Sequence, residues 1–299
     1  MFSGHLGELS ALGTAILWSF TYVQFTAAVR SIGPKKLNRL RLLVALVLLL
    51  VAHWVAFGTP LPRHAELSRW GWLTLSGVIG FAMSDAMLFR AMFHLGAHRT
   101  SLVMALIPLS SALLAWGAFG ESMAWAQIVA ALITLAGVTI VVSARQRSDT
   151  GASQRTGVGV LFALGAVMAQ SLRYILSKQG MSGAFPPLSA NTMQILAATV
   201  AIWIPAVVRR DVLASFVVPE GSRARQLTVG GAVTGPFLGV TLSMVALSKA
   251  PVGIASTLMA LTPLFLLPFA HFVFKERMTV RAVLGTCLAV GGAACLFLV

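Results

Sequence analysis

Long stretches without a charged side chain are the feature that most limits what this chain can fold into. Leu42–Phe57, Leu102–Phe119 and Ile128–Val142 contain no Asp, Glu, Lys or Arg. A helix needs about 20 apolar residues to cross a bilayer, and runs of this kind recur along the chain. Charged residues make up 10% of the sequence, whereas soluble domains carry about 25%. The sequence therefore predicts an all-α integral membrane protein with the lipid bilayer as its main partner.

Charge blocks, glycines and prolines divide the apolar sequence into ten predicted transmembrane helices. They span approximately residues 9–29, 38–57, 70–94, 98–119, 123–143, 157–178, 188–208, 226–249, 252–273 and 280–298. The hydrophilic segment 144–156 predicts a linker between a first five-helix unit, 1–143, and a second, 157–299.

An internal repeat supports this division. A shift of 155 residues places Ala91–Gly137 on Ala246–Gly292 without a gap, and twelve of the aligned pairs are identical. A shift of 152 aligns the first helix of each unit and pairs Tyr22 with Tyr174, the two tyrosines of the chain. Such self-similarity is typical of a duplicated structural unit.

An odd number of helices per unit makes the two units enter the bilayer from opposite sides. The expected architecture is therefore a pair of inverted five-helix repeats, on which many secondary transporters are built. Pro108 and Pro263, at equivalent positions, are expected to interrupt the fourth and ninth helices near the level of the substrate site.

Several segments together resemble a known family. They are ALGTAILWS in the first helix, the Arg-led RLRLLVALVLLL in the second, TSLVMALIPL and ASTLMALTPL in the fourth and ninth, a Glu after each of these, and a Gly-rich last helix. The pattern, over residues 7–299, resembles EamA-type transporters of the drug/metabolite transporter superfamily. The resemblance implies ten helices, alternating access and export of small metabolites or drugs across the bacterial inner membrane. The sequence departs from it where Gln170 is the counterpart of the first-helix tryptophan, Trp18.

Asp85 is the one acidic residue within a predicted membrane span. A carboxylate there costs about 2.5–3.5 kcal/mol on insertion scales, so it must face a polar cavity, pair with a cation or be protonated. We interpret Asp85 as a candidate site for a proton or a substrate amine. The structural alternative is a carboxylate that is hydrogen-bonded to Ser84 or to a neighbouring helix.

The sixth predicted helix carries a polar stripe of Gln170, Arg173, Tyr174, Ser177 and Lys178. Their spacing places them on one face. Arg173 is a candidate anchor for a carboxylate or phosphate; the alternative is that it reaches the nearer membrane interface, as we expect of Lys178.

Two further sequence features complete the candidate set. Trp18 and Tyr22 form a matching face on the first helix, where they either line the cavity or serve in packing. Glu121 and Glu276 precede the fifth and tenth helices, where a negative charge favours the following helix N-terminus.

The predicted function is export of small metabolites, with amino acids or related amphiphiles ahead of cationic drugs. An anionic group at Arg173 and a cationic group near Asp85 would suit a zwitterion. The motifs of phosphate loops, nucleophile elbows and metal sites do not occur in the sequence, so we expect no enzyme activity and no cofactor, with proton coupling as an option. An intramembrane enzyme is the rival class.

Net charge is +14, but the basic residues lie in short blocks between apolar runs, which predicts loops facing an anionic membrane surface and not a nucleic-acid partner. Most of them follow odd-numbered helices, so the positive-inside rule places both termini in the periplasm. Related exporters have cytoplasmic termini instead. We expect a monomer or a weak homodimer.

Overall fold

The structure is a computed structural model that describes residues 5–144, 156–217, 223–265 and 280–298. All regular secondary structure in these ranges is helical. The α-helices are α1 (Leu6–Ile32), α2 (Pro34–Phe57), α3 (Leu67–Gly77), α4 (Asp85–Met104), α5 (Ile107–Phe119), α6 (Trp125–Ala144), α7 (Thr156–Gly180), α8 (Pro187–Val208), α9 (Ala224–Ala232), α10 (Val240–Lys249), α11 (Val252–Met259) and α12 (Val280–Leu298). A short 3-10 helix spans Leu213–Ser215. Almost all of the predicted linker, together with Glu276, lies outside the described residues.

Hydropathy and length identify membrane-crossing helices in this set. Five stretches are long and apolar enough to cross a membrane: Pro34–Phe57, Leu67–Leu88, Gly157–Gly180, Pro187–Val208 and Ala224–Lys249. Shorter apolar helices accompany them at Ile107–Phe119, Trp125–Ile140, Val252–Phe265 and Val283–Cys295. The chain is therefore a multi-pass α-helical membrane protein.

Two π-helical segments lie in the same register of the two repeats. The first π-segment, Val78–Ser84, joins α3 to α4, and the second π-segment, Val233–Gly239, joins α9 to α10. Their bounds differ by 155 residues, the shift that aligns Ala91–Gly137 with Ala246–Gly292. The structural equivalence of the two repeats therefore also includes residues that precede the aligned stretch Ala91–Gly137. π-Helical turns within α-helices occur frequently at functional sites.

The helix breaks near the two repeat-related prolines are also equivalent. Turns at residues 105–106 and 260–261 precede Pro108 and Pro263. Pro108 lies in the first turn of α5, where the missing N–H costs no hydrogen bond. Each proline therefore begins a helical segment and does not kink the middle of one. The predicted boundary between the third and fourth helices was wrong, because α4 continues through Met104.

The first helix of each unit packs against the other unit. α1 lies along α9, the second π-segment and α10, while α7 lies along α3, the first π-segment and α4. Equivalent hydrogen bonds accompany this exchange: the Ser84 hydroxyl donates to the Ala166 carbonyl at 3.1 Å, and the Thr14 hydroxyl donates to the Gly239 carbonyl at 3.4 Å. The two units are therefore joined through reciprocal contacts.

α6 and α12 approach each other closely at two equivalent glycines. A Cβ on Gly137 would lie 2.3 Å from the Ala289 nitrogen, and a Cβ on Gly292 would lie 2.6 Å from the Thr134 nitrogen. Real Cβ atoms do not tolerate such distances. Glycine at both positions therefore permits a backbone-to-backbone approach, as small residues do between membrane helices.

Glu121 links the two units through contacts with α7 and α11. Its Oε2 accepts a hydrogen bond of 2.9 Å from the backbone N–H of Val252, at the start of α11, and its Oε1 lies 2.5 Å from the Lys178 ammonium. The Glu121 carboxylate was expected at the N-terminus of the next helix, α6, but its hydrogen bond goes to α11 instead. That Lys178 reaches the membrane interface remains a prediction. The free N–H groups of α11 are brought to Glu121 by tertiary packing, and a carboxylate at a helix N-terminus is stabilised there.

Candidate functional site

Arg173 lies inside the protein, on the face of α7 that is turned toward the first π-segment. The residue is 1% exposed, so it does not reach the membrane interface. Its guanidinium lies over the rings of Phe81 and Tyr174, 4.9 and 5.0 Å from their centroids. Gly80 makes room for the side chain, since a Cβ there would lie 1.8 Å from the Arg173 Cδ.

Neutral side chains, two amides and the Tyr174 hydroxyl, supply the hydrogen-bond acceptors for this guanidinium. Nη1 donates to Gln194 Oε1 at 3.5 Å. The Gln170 amide fits its surroundings with its oxygen turned toward Arg173, where it accepts from Nε and Nη2 at 3.2 and 3.1 Å. These contacts satisfy part of the donor set of Arg173 without neutralising its charge.

A buried hydroxyl network fixes the position of α7 beside these groups. Ser76 and Ser177 share a hydrogen bond of 2.8 Å, and both hydroxyls contact the Arg173 carbonyl oxygen. The Gln194 amide donates to Ser177 at 2.9 Å. The predicted polar stripe is thus turned into the protein, while Met168 and Leu172, on the opposite face, are exposed on its outer surface.

Asp85 forms an ion pair with Arg41 of α2. Of the three possibilities for a carboxylate in the membrane, the structure shows pairing with a cation. Ser84 is not its partner, because that hydroxyl donates to Ala166. The charges of Asp85 and Arg173 also interact electrostatically, so α2, α4 and α7 contribute to one cluster.

The first helix contributes the two predicted aromatic residues at different places. Tyr22 is 49% exposed and interacts electrostatically with Asp85 and Tyr174. Trp18 is half-buried and lies against the second π-segment, where a Cβ on Gly239 would be 2.8 Å from the indole Nε1. Tyr22 therefore belongs to the charged cluster, and Trp18 is placed by the opposite repeat.

We call the set Tyr22, Arg41, Asp85, Gln170, Arg173, Tyr174 and Gln194 the polar cluster. Sequence reasoning missed Arg41, which it placed among the basic residues that flank the membrane. It also missed Gln194, although an amide within the apolar run of α8 is a signal that could have indicated it. Pro108 and Pro263 mark the helix breaks and take no part in the polar contacts described for this cluster.

A separate apolar groove of approximately 410 Å³ lies between α5, α6 and α11. Its lining includes Pro108, Leu113, Trp116 and Leu132, and the last three are 59%, 65% and 52% exposed. None of the polar cluster lines it.

Charged side chains between two repeats of membrane helices are typical of small-molecule transporters. The comparison with protein families agrees. The chain belongs to the EamA-like transporter family, whose model matches residues 5–143 and 157–298.

One curated relative is a protein named "Probable terminal-alkyne amino-acid exporter" from Streptantibioticus cattleyicolor. It is 26% identical over 190 residues, which are 64% of this chain and 58% of the relative. The match therefore spans little more than half the length of that protein.

A solved crystal structure shares the fold. It superposes with a TM-score of 0.78 at 18% sequence identity, covering 98% of this chain and 96% of the other. At that identity the similarity concerns the fold alone.

Proposed function

We propose that this protein is a secondary transporter that exports amino acids or related small amphiphiles across the bacterial inner membrane. Family membership supports a transporter of small substrates. The relative named as a probable amino-acid exporter supports the substrate class. The protein acts as a monomer or a weak homodimer in this proposal.

The observation that carries the substrate class is the environment of Arg173. Its described hydrogen-bond partners are neutral groups, namely the amides of Gln170 and Gln194 and the hydroxyl of Tyr174. The carboxylate whose charge acts on it, Asp85, is paired with Arg41. A buried guanidinium without an ion pair of its own is costly. A substrate carboxylate that enters the cluster supplies the missing anion, and the planar fork of arginine matches its two oxygens.

Alternating access between two inverted five-helix repeats is the proposed mechanism. The exchange of α1 and α7 between the units, with π-segments in the same register, supports it. In such repeats the site lies between the units, and each unit provides equivalent surfaces on either side. Rocking of the units about this contact would expose the polar cluster to one side of the membrane and then to the other.

The experiment is substrate exchange in proteoliposomes that contain the purified protein. Labelled amino acids, nucleosides and cationic dyes are compared as exchange substrates. We expect exchange of amino acids, and its loss in Arg173→Met. Arg90→Gln is the matched control, because Arg90 also lies over a phenylalanine ring, 5.3 Å from the centroid of Phe162, but is exposed.

Exchange of dyes without amino acids would contradict the proposal and favour drug efflux. Equal loss of exchange in Arg173→Met and Arg90→Gln would show that Arg173 has no special role.

A further inference from the structure

The Arg41–Asp85 ion pair reaches between two groups of helices. Arg41 lies on α2, which packs against α8, α9 and the second π-segment. Asp85 begins α4, which packs against α7 and the first π-segment. In the part of the chain that the structure describes, α2 and α4 do not pack along each other. The ion pair therefore joins two helices that do not otherwise pack along each other.

Two further contacts hold the Arg41 side chain in place. Its Nε donates to Asn38 Oδ1 at 2.7 Å, and its guanidinium lies 5.4 Å from the centroid of the Phe25 ring. The side chains of Arg41 and Asp85 remain 14% and 19% exposed, so the pair is not fully enclosed by protein. Arg41 is thus positioned in advance as the partner of Asp85.

We propose that Arg41 determines the charge selectivity of the transporter by occupying Asp85 with a cation that belongs to the protein. A cationic ligand must displace a guanidinium that is tethered to the same molecule, which acts as a competitor of high effective concentration. The inference rests on the proposed function. It adds Arg41 as the residue that makes the transporter select its substrates over cationic drugs.

The net charge of the polar cluster also favours anions over cations. The described ionised groups are the guanidinium groups of Arg41 and Arg173 and the carboxylate of Asp85, so the cluster carries one net positive charge. Within a medium of low dielectric constant, an uncompensated charge attracts an ion of opposite sign strongly. The site therefore favours an anion or a zwitterion that presents its carboxylate, and disfavours a cation.

Removal of Arg41 reverses this preference. Arg41→Gln leaves Asp85 without its partner and the cluster without net charge, so that an external cation can compensate the carboxylate. We expect the affinity for tetraphenylphosphonium, measured by equilibrium dialysis of protein in nanodiscs, to rise at least about tenfold, which corresponds to about 1.4 kcal/mol. Arg39→Gln is the matched control, because Arg39 lies on the same helix, is 12% exposed and pairs with Asp211 at 3.2 Å.

Further variants decide whether the effect acts through Asp85. The gain should disappear in the double variant Arg41→Gln/Asp85→Asn. Asp85→Asn alone raises the net charge of the cluster, so it should bind N-acetylleucine, an anion without an ammonium group, more tightly than the native protein. This last measurement keeps Arg41 and remains decisive where Arg41→Gln does not fold.

Four results would overturn the inference: no gain of cation binding in folded Arg41→Gln, an equal gain in Arg39→Gln, a gain that persists in the double variant, or unchanged or weaker binding of N-acetylleucine to Asp85→Asn. Amino-acid exchange by the native protein is a separate measurement. Its absence would refute the proposed function, whereas the cation gain tests the role of Arg41.

Discussion

The contact between Gly80 and Arg173 gives a sharp test of how the buried arginine is held. In Gly80→Ala, the new Cβ would lie 1.8 Å from the Arg173 Cδ, while carbon atoms in contact are about 3.5–4.0 Å apart. The Cδ atom must therefore move by about 2 Å, and the guanidinium shifts with it. Because Arg173 is 1% exposed, this movement must take place among the groups that surround it inside the protein.

Two costs add in this variant. Overpacking of a well-packed interior costs about 1–3 kcal/mol, and displacement of the guanidinium weakens its hydrogen bonds to Gln170 and Gln194, at about 1.5–3 kcal/mol for a bond to a charged group. We expect a loss of about 2–4 kcal/mol in the free energy of unfolding. At roughly 2–4 °C per kcal/mol, the Tm in detergent should fall by at least about 4 °C.

Three companion variants make the measurement specific. A Cβ on Gly71 meets nothing within 4 Å, so Gly71→Ala should not lower the Tm. Gly235→Ala, the repeat-related change, brings a Cβ to 2.8 Å from the Thr21 methyl group and should cost less, because the overlap is smaller than the 1.8 Å contact at Gly80. In an Arg173→Ala background the penalty of Gly80→Ala should vanish, which a double-mutant cycle measures directly.

An equal Tm for Gly80→Ala and Gly71→Ala would refute the reasoning about packing. A penalty of the same size with and without the Arg173 side chain would show that the cost arises in the π-segment itself.

Three other predictions concern coupling, recognition and the junction between the units. Asp85 is a candidate for the coupling carboxylate because it lies within a predicted membrane span. If it has that role, Asp85→Asn should abolish pH-driven flux in liposomes while exchange at symmetric pH remains measurable; unchanged pH dependence would end this role. Arg173→Lys should raise the Kd for an amino acid about tenfold or more, because an ammonium cannot reproduce the bidentate fork, and an unaltered Kd in the folded variant would remove Arg173 as the anchor. Glu121→Gln should lower the Tm by several degrees, because it leaves Lys178, whose side chain is 24% exposed, without its carboxylate partner. Glu66→Gln is the control, since the Glu66 side chain is 70% exposed. An equal loss of Tm in both variants would argue against a specific junction at Glu121.

The orientation of the protein in the membrane is predicted from the loop charges alone. A C-terminal alkaline phosphatase fusion should be active if both termini are periplasmic, as the positive-inside rule indicates. An inactive phosphatase together with a fluorescent C-terminal reporter would place the termini in the cytoplasm.

The membrane class, the duplicated units and the family resemblance were all readable from the sequence. Hydropathy is a local property, because the bilayer acts as solvent for each span separately, so apolar runs identify spans without knowledge of their neighbours. The repeat is preserved in residues that face equivalent surroundings, such as Gly137 and Gly292, which the structure places in equivalent close contacts. The inward direction of the Arg173 face was also predictable, since helical spacing alone places its polar residues together.

The partners of the charged side chains were decided by the tertiary structure. Arg41 reads as a residue that flanks the membrane because it follows a block of other basic residues, and only the folded chain brings it to Asp85. Glu121 likewise stabilises α11, which begins with Val252, more than a hundred positions further along the chain. Spans depend on the free energy of transferring a segment into lipid, which the segment itself determines. Ion pairs depend on which segments pack together. The local sequence around a carboxylate therefore does not identify its partner.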